Sequence, residues 1–179
     1  LARLILGVHQ KDNEQECTKH KQAIENSAFA KKADIIIIAT ATSEDQSDDE
    51  IDRLPNEVAF HRGNSPNARI IVFGVNRLPF DPPTFYLLKA GSPLINAQMY
   101  GLNRSKRSYI NELVREAAHK VEAQYFDFYS LLCNNKAKEC LVTDEQGNLL
   151  YDDDNHWTFA GEKYFGALSL ENGLLDFKP

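Results

Sequence analysis

The sequence feature that most restricts the fold of this chain is a run of four isoleucines inside the segment DIIIIAT, residues 34–40. A strand with one face in water alternates apolar and polar residues, whereas an unbroken run of branched aliphatic residues predicts a strand buried on both faces. LARLILGV at residues 1–8 and NARIIVFG at residues 67–74 have a similar composition. Strands of this kind are typical of a parallel sheet with helices packed on both faces.

Helical patterns separate these strands and continue the alternation along the chain. Apolar residues repeat with helical spacing in Thr18–Lys32 and in Ser105–Ala123. The polar, acidic stretch from Ser43 to Asp52 predicts a loop that runs into a helix ending near Arg62. The remaining predicted elements are a fourth strand at Gln124–Leu131, a hairpin around Gln146–Gly147–Asn148 and a closing helix at Thr158–Leu170.

The predicted fold is a single α/β domain over residues 1–179, a three-layer α/β/α sandwich with a mostly parallel sheet of the flavodoxin-like type. Because ligands in such sheets bind at the carboxyl ends of the strands, function is expected in the loops that follow the strands. The net charge of −6 and the pI near 5.4 argue against nucleic-acid binding, which needs a basic face. No apolar run reaches the roughly 20 residues of a membrane span.

Two of the three cysteines, Cys133 and Cys140, close the short polar loop CNNKAKEC between two apolar segments. In an oxidising compartment, such a pair is expected to form a disulfide that stabilises a loop without a core of its own. A zinc site is the alternative, but no second Cys/His pair stands at ligand spacing. We predict the disulfide, with Cys17 either free or paired outside this chain.

The segment YDDDNHWTFAG, residues 151–161, holds the candidate chemistry. Asp153 and His156 are three residues apart, and on a tight turn this spacing lets the carboxylate accept a hydrogen bond from imidazole Nδ1. The second ring nitrogen, Nε2, can then act as a general base toward a serine hydroxyl from another part of the fold. We expect the turn to present the ring toward the carboxyl edge of the sheet.

Plainer interpretations of the same segment stay open at this point. A histidine before a helix is often a surface residue, and an Asp-rich turn often only caps the helix. A cation site is a third possibility, with Asp152 and Asp154 as oxygen ligands. The calcium-loop pattern fails, however, because its sixth position is not glycine and Lys163 occupies its twelfth. We predict no metal site.

The order of these segments resembles that of SGNH hydrolases, and more narrowly that of the SGNH domains fused behind acyltransferase-3 membrane proteins, which O-acetylate surface polysaccharides. The similar segments are YFDFYSLLC, KEC and GNLLYDDDNHWTFAG, together with the upstream KADIIIIATAT and ARIIVFGVNRLPF. The D-x-x-H block is the specific part of the resemblance. It implies an SGNH-type fold in which Asp153 and His156 are the catalytic acid–base pair.

The sequence departs from the family pattern at the nucleophile. The family carries a Gly-Asp-Ser block at the end of its first strand, and these 179 residues contain no such motif. We expect the chain to lack this block, with Leu1–Val8 corresponding to the second strand. The G-x-N-D block is not matched either, because the sequence ATATS stands in its place. The candidate oxyanion and substrate residues in these loops are Thr40, Thr42, Ser43, Asn76 and Arg77.

What the resemblance implies is serine acyl transfer through a Ser-His-Asp triad whose serine lies outside this chain. The reaction is O-acetyltransfer to a surface carbohydrate or hydrolysis of an ester. The implied partners are an acyl donor, a carbohydrate acceptor and a membrane acyltransferase domain in the same parent chain, in an extracytoplasmic location. No organic cofactor is implied. The rival hypothesis is a non-catalytic SGNH-like module that binds glycan or a partner protein.

Overall fold

A computed structural model of the chain describes residues 3–7, 14–39, 47–75, 77–89, 92–102, 105–153 and 156–176. The chain divides into two compact units. The first unit comprises Leu1–Val75 and Ile110–Phe126, and the second comprises Asn76–Tyr109 and Asp127–Pro179.

Strands and helices alternate through the first part of the chain, and helices and short hairpins follow. In chain order the strands are β1 (Arg3–Gly7), β2 (Ile35–Ala39), β3 (Arg69–Phe73), β4 (Gln124–Phe126), β5 (Cys133–Asn134) and β6 (Glu139–Cys140). The helices are α1 (Glu14–Asn26), α2 (Ser47–Asn64), α3 (Pro82–Leu88), α4 (Ile95–Tyr100), α5 (Ser105–Lys120), α6 (Phe128–Leu132) and α7 (Phe159–Glu171), and a 3-10 turn spans Ala30–Lys32. In the described part of the chain, no helix is long and apolar enough to cross a membrane.

Within the described residues, the first unit contains a parallel four-stranded sheet in the order β1-β2-β3-β4. Each pair of neighbouring strands is joined by a crossover that contains a helix, as parallel pairing requires. The isoleucine run forms β2, and its four isoleucines are only 1–7% exposed, so both faces of this strand are covered. The predicted α/β fold with a parallel sheet is therefore confirmed.

The position of β1 bears on its expected correspondence to the second strand of the family. In the flavodoxin-like order 2-1-3-4-5, the third strand lies beside the first strand and not beside the second. Here β1 pairs with β2 along its whole length, from Arg3 opposite Ile35 to Gly7 opposite Ala39. If β2 corresponds to the third strand of the family, its neighbour β1 occupies the place of the first strand in that order. The expected correspondence of Leu1–Val8 to the second strand stays a prediction.

The helix predicted at Thr18–Lys32 has different bounds in the structure. It begins earlier, at Glu14, and ends at Asn26, and the chain then forms the separate 3-10 turn. The Ala30 N–H donates a hydrogen bond to Ser27 Oγ at 3.1 Å. A serine side chain that binds a nearby backbone group offers the chain an alternative to continued α-helix, which explains the early end.

The strand predicted at Gln124–Leu131 is wrong beyond Phe126. Asp127 caps α6 instead, because its Oδ1 accepts a hydrogen bond from the Ser130 N–H at 3.1 Å. An aspartate in this position satisfies one of the free N–H groups at a helix start. The apolar residues that suggested a longer strand therefore belong to a short helix.

In the second unit, a hairpin closed by a disulfide precedes the candidate site along the chain. β5 and β6 pair in antiparallel fashion with Cys133 opposite Cys140, and a disulfide joins the two cysteines. Both cysteines are buried. The predicted disulfide is confirmed, and it removes these two sulfur atoms from consideration as zinc ligands.

A second hairpin follows, with Thr143 opposite Leu149. Asp144 closes it, since its Oδ1 accepts a hydrogen bond from the Asn148 N–H at 2.8 Å. Gly147 has a φ of 83°, a left-handed conformation that glycine adopts without steric cost. The hairpin predicted around this glycine is confirmed.

Asn96 of α4 ties its helix to the segment between the two hairpins. Its Oδ1 accepts hydrogen bonds from the N–H groups of Val142 and Thr143 at 2.8 and 3.1 Å, and its Nδ2 donates to the Thr143 carbonyl at 3.0 Å. One amide side chain thus satisfies three backbone groups. The strand segment that leads to the candidate site is held at its start by these bonds.

His61 of α2 is a buried titratable group in the first unit. Only 3% of the residue is exposed. Burial lowers the pKa of its imidazole below the ordinary 6.5, because removing the ring from water penalises the charged form. Glu57 raises this pKa and Lys21 lowers it, both as smaller effects than burial. The neutral form of His61 is therefore the one that the fold favours.

Candidate active site

The turn that precedes α7 begins at Tyr151. Tyr151 and Trp157 pair as an antiparallel bridge, and the Asp152 N–H donates to the His156 carbonyl at 2.9 Å. These contacts bring the two ends of the turn together. Asp153 and His156 therefore lie in a closed loop that starts and ends on paired backbone.

Asp153 holds His156 through both of its carboxylate oxygens. Oδ1 accepts a hydrogen bond from the backbone N–H of His156 at 2.7 Å, and Oδ2 lies 2.7 Å from imidazole Nδ1. An ionised carboxylate can only accept hydrogen bonds, so Nδ1 carries the proton and Nε2 is the basic nitrogen of the neutral ring. Because the same carboxylate binds backbone and ring, the turn has the geometry of an oriented general base.

The aspartate–histidine pair is open to solvent. The side chain of His156 is 72% exposed and that of Asp153 is 52% exposed. An exposed ion pair contributes little to the stability of a fold. The two hydrogen bonds therefore act mainly on the orientation of the ring, and the exposure leaves the ring within reach of an external substrate.

An aromatic cluster packs against the two ends of the turn. The ring centroid of Trp157 lies 5.4 Å from that of Phe128 and 5.2 Å from that of Phe165, and Tyr151 lies 5.6 Å from Phe165. Phe128, Tyr151 and Phe165 are fully buried. Aromatic pairs at these distances contribute about 0.5–1.5 kcal/mol beyond their buried area, so the base of the turn is firmly packed.

The hydroxyl of Tyr151 is buried and finds no hydrogen-bond partner among the described residues. Burial also raises the pKa of the Tyr151 phenol well above its ordinary value. A buried polar group without a partner costs about 1–3 kcal/mol. Tyr151 is therefore favoured at this position by the packing of its ring and not by its hydroxyl.

The first turn of α7 is fastened to the backbone of the preceding hairpin. Thr158 caps the helix, since its Oγ1 accepts a hydrogen bond from the Gly161 N–H at 3.1 Å. The same hydroxyl donates to the Leu149 carbonyl at 2.7 Å, and the Thr158 N–H donates to the Leu150 carbonyl at 3.1 Å. The sequence predicts a helix start at Thr158 but gives no sign of these contacts, which join residues eight and nine positions apart.

Most of the other candidate residues lie outside the described residues, namely Thr40, Thr42, Ser43 and Asn76. Arg77 is described and is half-buried. The contacts expected between these residues and a substrate stay predictions. Across the described ranges, no group of three or more His, Cys, Asp and Glu side chains is placed to hold a metal ion.

A Gly-Asn-Ser sequence at residues 63–65 is close in letters to the nucleophile motif of the family. It stands at the end of α2 and not after a strand. Ser65 is only 2% exposed, and its hydroxyl donates to the Ala30 carbonyl at 2.6 Å. This hydroxyl is engaged in the packing of the first unit and does not have the exposure of a nucleophile.

A parallel α/β sheet and a D-x-x-H turn just before α7 agree with the resemblance to SGNH-type domains that the sequence suggests. Comparison with known protein families matches residues 4–170 to the family described as SGNH domain (fused to AT3 domains). The chain therefore belongs to this family.

Among solved structures, the chain is similar to the periplasmic domain of a lipopolysaccharide acetyltransferase from Salmonella ser. Paratyphi A. The TM-score is 0.66 at 18% sequence identity, over 89% of this chain and 62% of that chain. The chain thus spans less than two thirds of the length of that domain, and the match shows the shared fold. A search of curated proteins finds no match.

Proposed function

We propose that this chain is part of a serine acyltransferase or esterase of the SGNH type, with Asp153 and His156 as two members of its Ser-His-Asp triad. The proposal requires a serine from outside the 179 residues, because these contain no Gly-Asp-Ser motif. Its hydroxyl attacks the carbonyl carbon of an acyl ester while His156 Nε2 takes the hydroxyl proton, and the imidazolium then gives this proton to the departing alkoxide. Water or a sugar hydroxyl next attacks the acyl-enzyme in the same way and regenerates the serine.

The observation that carries the proposal is the double hydrogen bonding of His156 by Asp153. One carboxylate binds both the backbone N–H and ring Nδ1, each at 2.7 Å, while the ring stays exposed. This single carboxylate thereby selects the tautomer and the orientation of the ring together. A general base that is positioned in this way contributes about 10²–10⁴-fold to a rate.

Three observations support the finer assignment, which is O-acetyl transfer from an acyl donor to a surface carbohydrate outside the cytoplasm. The family is described as fused to AT3 domains, which fits a membrane acyltransferase domain in the same parent chain. The structurally similar domain belongs to a lipopolysaccharide acetyltransferase and is periplasmic. The disulfide between Cys133 and Cys140 suits an oxidising compartment.

The loops that follow β2 and β3 are the proposed places for the remaining substrate contacts, because ligands bind at the carboxyl ends of parallel strands. Backbone N–H groups or hydroxyls in the first loop would stabilise the oxyanion of the tetrahedral intermediate. Side chains in the second loop would bind polar or anionic groups of the substrate. The residues concerned are Thr40, Thr42 and Ser43 in the first loop and Asn76 and Arg77 in the second.

The proposal is tested by measuring p-nitrophenyl acetate hydrolysis by the full-length natural protein. We expect His156→Ala to lower kcat by about 10²–10⁴-fold, because the general base is lost. The matched control is His119→Ala, which replaces an exposed histidine of α5 and should leave kcat unchanged. Equal rates for His156→Ala and the natural protein would remove His156 from the mechanism. Acetylated glycan as a product, when polysaccharide is added, would separate the transferase from the esterase.

A second candidate is a non-catalytic SGNH-like module that binds glycan or a partner protein. The placement of β1 favours it, because β1 lies where the first strand lies in the flavodoxin-like order and the following residues 8–10, Val-His-Gln, contain no serine. A fluorophosphonate probe, which labels activated serines, separates the two candidates on the full-length natural protein. Labelling that is lost in His156→Ala supports the enzyme, and absence of labelling supports the binding module.

A further inference from the structure

We infer that Thr158 is a positioning residue for His156. Its hydrogen bonds hold the start of α7 on the Leu149–Leu150 segment and thereby determine where the His156 imidazole lies. This inference rests on the proposed role of His156 as general base. Asp153 fixes the ring relative to its own turn, but both members of that pair are exposed. The turn as a whole is attached to the packed part of the unit through the ring of Trp157 and, one residue further along the chain, through Thr158.

The Thr158 hydroxyl uses both of its hydrogen-bonding functions at this place. It accepts from the Gly161 N–H at 3.1 Å and donates to the Leu149 carbonyl at 2.7 Å. Capping a helix requires only the acceptor. The donated bond to Leu149 is an addition to the cap, and it links the helix start to another strand segment.

The Leu149–Leu150 segment is a firm attachment point. Leu149 is paired with Thr143, and the Leu150 N–H donates to the Val142 carbonyl at 3.0 Å. Leu150 and Val142 are fully buried, and Asn96 binds the backbone of Val142 and Thr143. The position of the helix start is therefore set by buried, hydrogen-bonded backbone.

Only Trp157 separates the cap from His156. The indole ring packs on Phe128 and Phe165, so this residue has little room to compensate for a displaced cap. A shift of the Thr158 backbone consequently reaches His156 and its ring. A misplacement of about 1 Å in a catalytic group can cost about 10²-fold in rate.

Three variants separate the two functions of the hydroxyl. Thr158→Ser keeps both the donor and the acceptor, and Thr158→Val keeps the shape and removes both. Thr158→Asp keeps an acceptor that caps α7 and removes the donor, so it tests the bond to Leu149 without loss of the cap. Because aspartate is a good N-cap, Thr158→Asp gives an answer even if Thr158→Val is too unstable to study.

The first measurement is the NMR order parameter of the His156 backbone N–H in the chain itself. We expect about 0.85 in the natural sequence and in Thr158→Ser, and below about 0.6 in Thr158→Val and Thr158→Asp. A role in stability alone would lower the urea midpoint and leave the order parameter unchanged. A value near 0.85 in Thr158→Asp, or a value below 0.6 in the natural sequence, would overturn the inference.

The second measurement is kinetic and uses the full-length natural protein. Thr158→Asp should lower kcat about 10²-fold with little change in KM, and Thr158→Ser should restore kcat. If His156→Ala abolishes activity while Thr158→Asp keeps the natural kcat, the inference fails and the proposed function stands. If His156→Ala has no effect on activity but the order parameters follow the expected pattern, the proposed function fails and the fastening of the turn by Thr158 stands.

Discussion

Replacing Gly161 with alanine should destabilise the fold, although alanine is the better helix former. Gly161 is the third residue of α7. A Cβ at this position would overlap the Leu150 carbonyl oxygen, and it would lie 2.9 Å from the Leu150 carbonyl carbon and 3.0 Å from Trp157 Cβ. Rotation of a side chain cannot relieve an overlap with backbone. The first turn of α7 must therefore move away from the Leu149–Leu150 segment.

The magnitude follows from the contacts that this movement breaks. Thr158 makes two hydrogen bonds to the segment, one to the Leu149 carbonyl and one to the Leu150 carbonyl, and each contributes about 1 kcal/mol. The helix propensity of alanine offsets about 1 kcal/mol of this loss. Residual overlap in a packed site adds to the cost, so we expect a net loss of about 1–3 kcal/mol in the free energy of unfolding.

Gly166→Ala is the matched control on the same helix. Apart from the adjacent residues and the backbone of its own helix, no atom of the described residues lies within 4 Å of a Cβ at Gly166, so only the change in helix propensity applies. This variant should be more stable than the natural chain by about 0.5–1 kcal/mol. Urea unfolding followed by circular dichroism, with the disulfide intact, measures both changes. If Gly161→Ala proves as stable as Gly166→Ala, the close approach of α7 to Leu150 is refuted.

Three further predictions concern other buried groups. Removing the disulfide in a Cys133→Ala, Cys140→Ala double variant should lower the free energy of unfolding by about 2.5 kcal/mol, as expected for so short a loop, and reductant should then have no further effect on unfolding. Tyr151→Phe should be as stable as the natural chain or more stable by up to about 1 kcal/mol, because it removes a hydroxyl without a described partner. A clearly lower Tm of the variant in thermal unfolding would contradict this. Burial lowers the pKa of folded His61 below the ordinary 6.5, so the unfolded chain binds the proton first and stability is lost as pH falls below that value. When the pH is lowered below 6.5, the free energy of unfolding of His61→Gln should therefore decrease less than that of the natural chain. An equal decrease in the two proteins would disprove the lowered pKa of His61.

The buried strands could be predicted from the sequence because a strand that is covered on both faces consists almost entirely of apolar residues. Four consecutive isoleucines have no polar residue among them to place in water, so the segment Ile35–Ile38 is expected to lie inside the sheet, as it does. The strand predicted at Gln124–Leu131 shows the limit of this reasoning. Its apolar residues suit a strand or a buried helix, and the cap formed by Asp127 decides for the helix.

The contact between Asp153 and His156 could be predicted from the sequence for a different reason. Asp153 and His156 are three residues apart, and contacts at such short separation depend mainly on the local turn. The contacts that hold the turn in place depend on longer separations. Tyr151 pairs with Trp157, and Thr158 reaches Leu149, with no pattern in the sequence that marks either pair.

The amino-acid sequence alone thus determined the parallel α/β fold, the pairing of Cys133 with Cys140 and the contact between Asp153 and His156, because each depends on residue type or on near neighbours in the chain. Tertiary structure decided the neighbour of β1, the contacts of Thr158 and the requirement for glycine at Gly161. These features arise where backbone segments approach one another in space. Such an approach leaves no trace in composition, periodicity or spacing, because the groups that are approached are backbone groups that every residue shares.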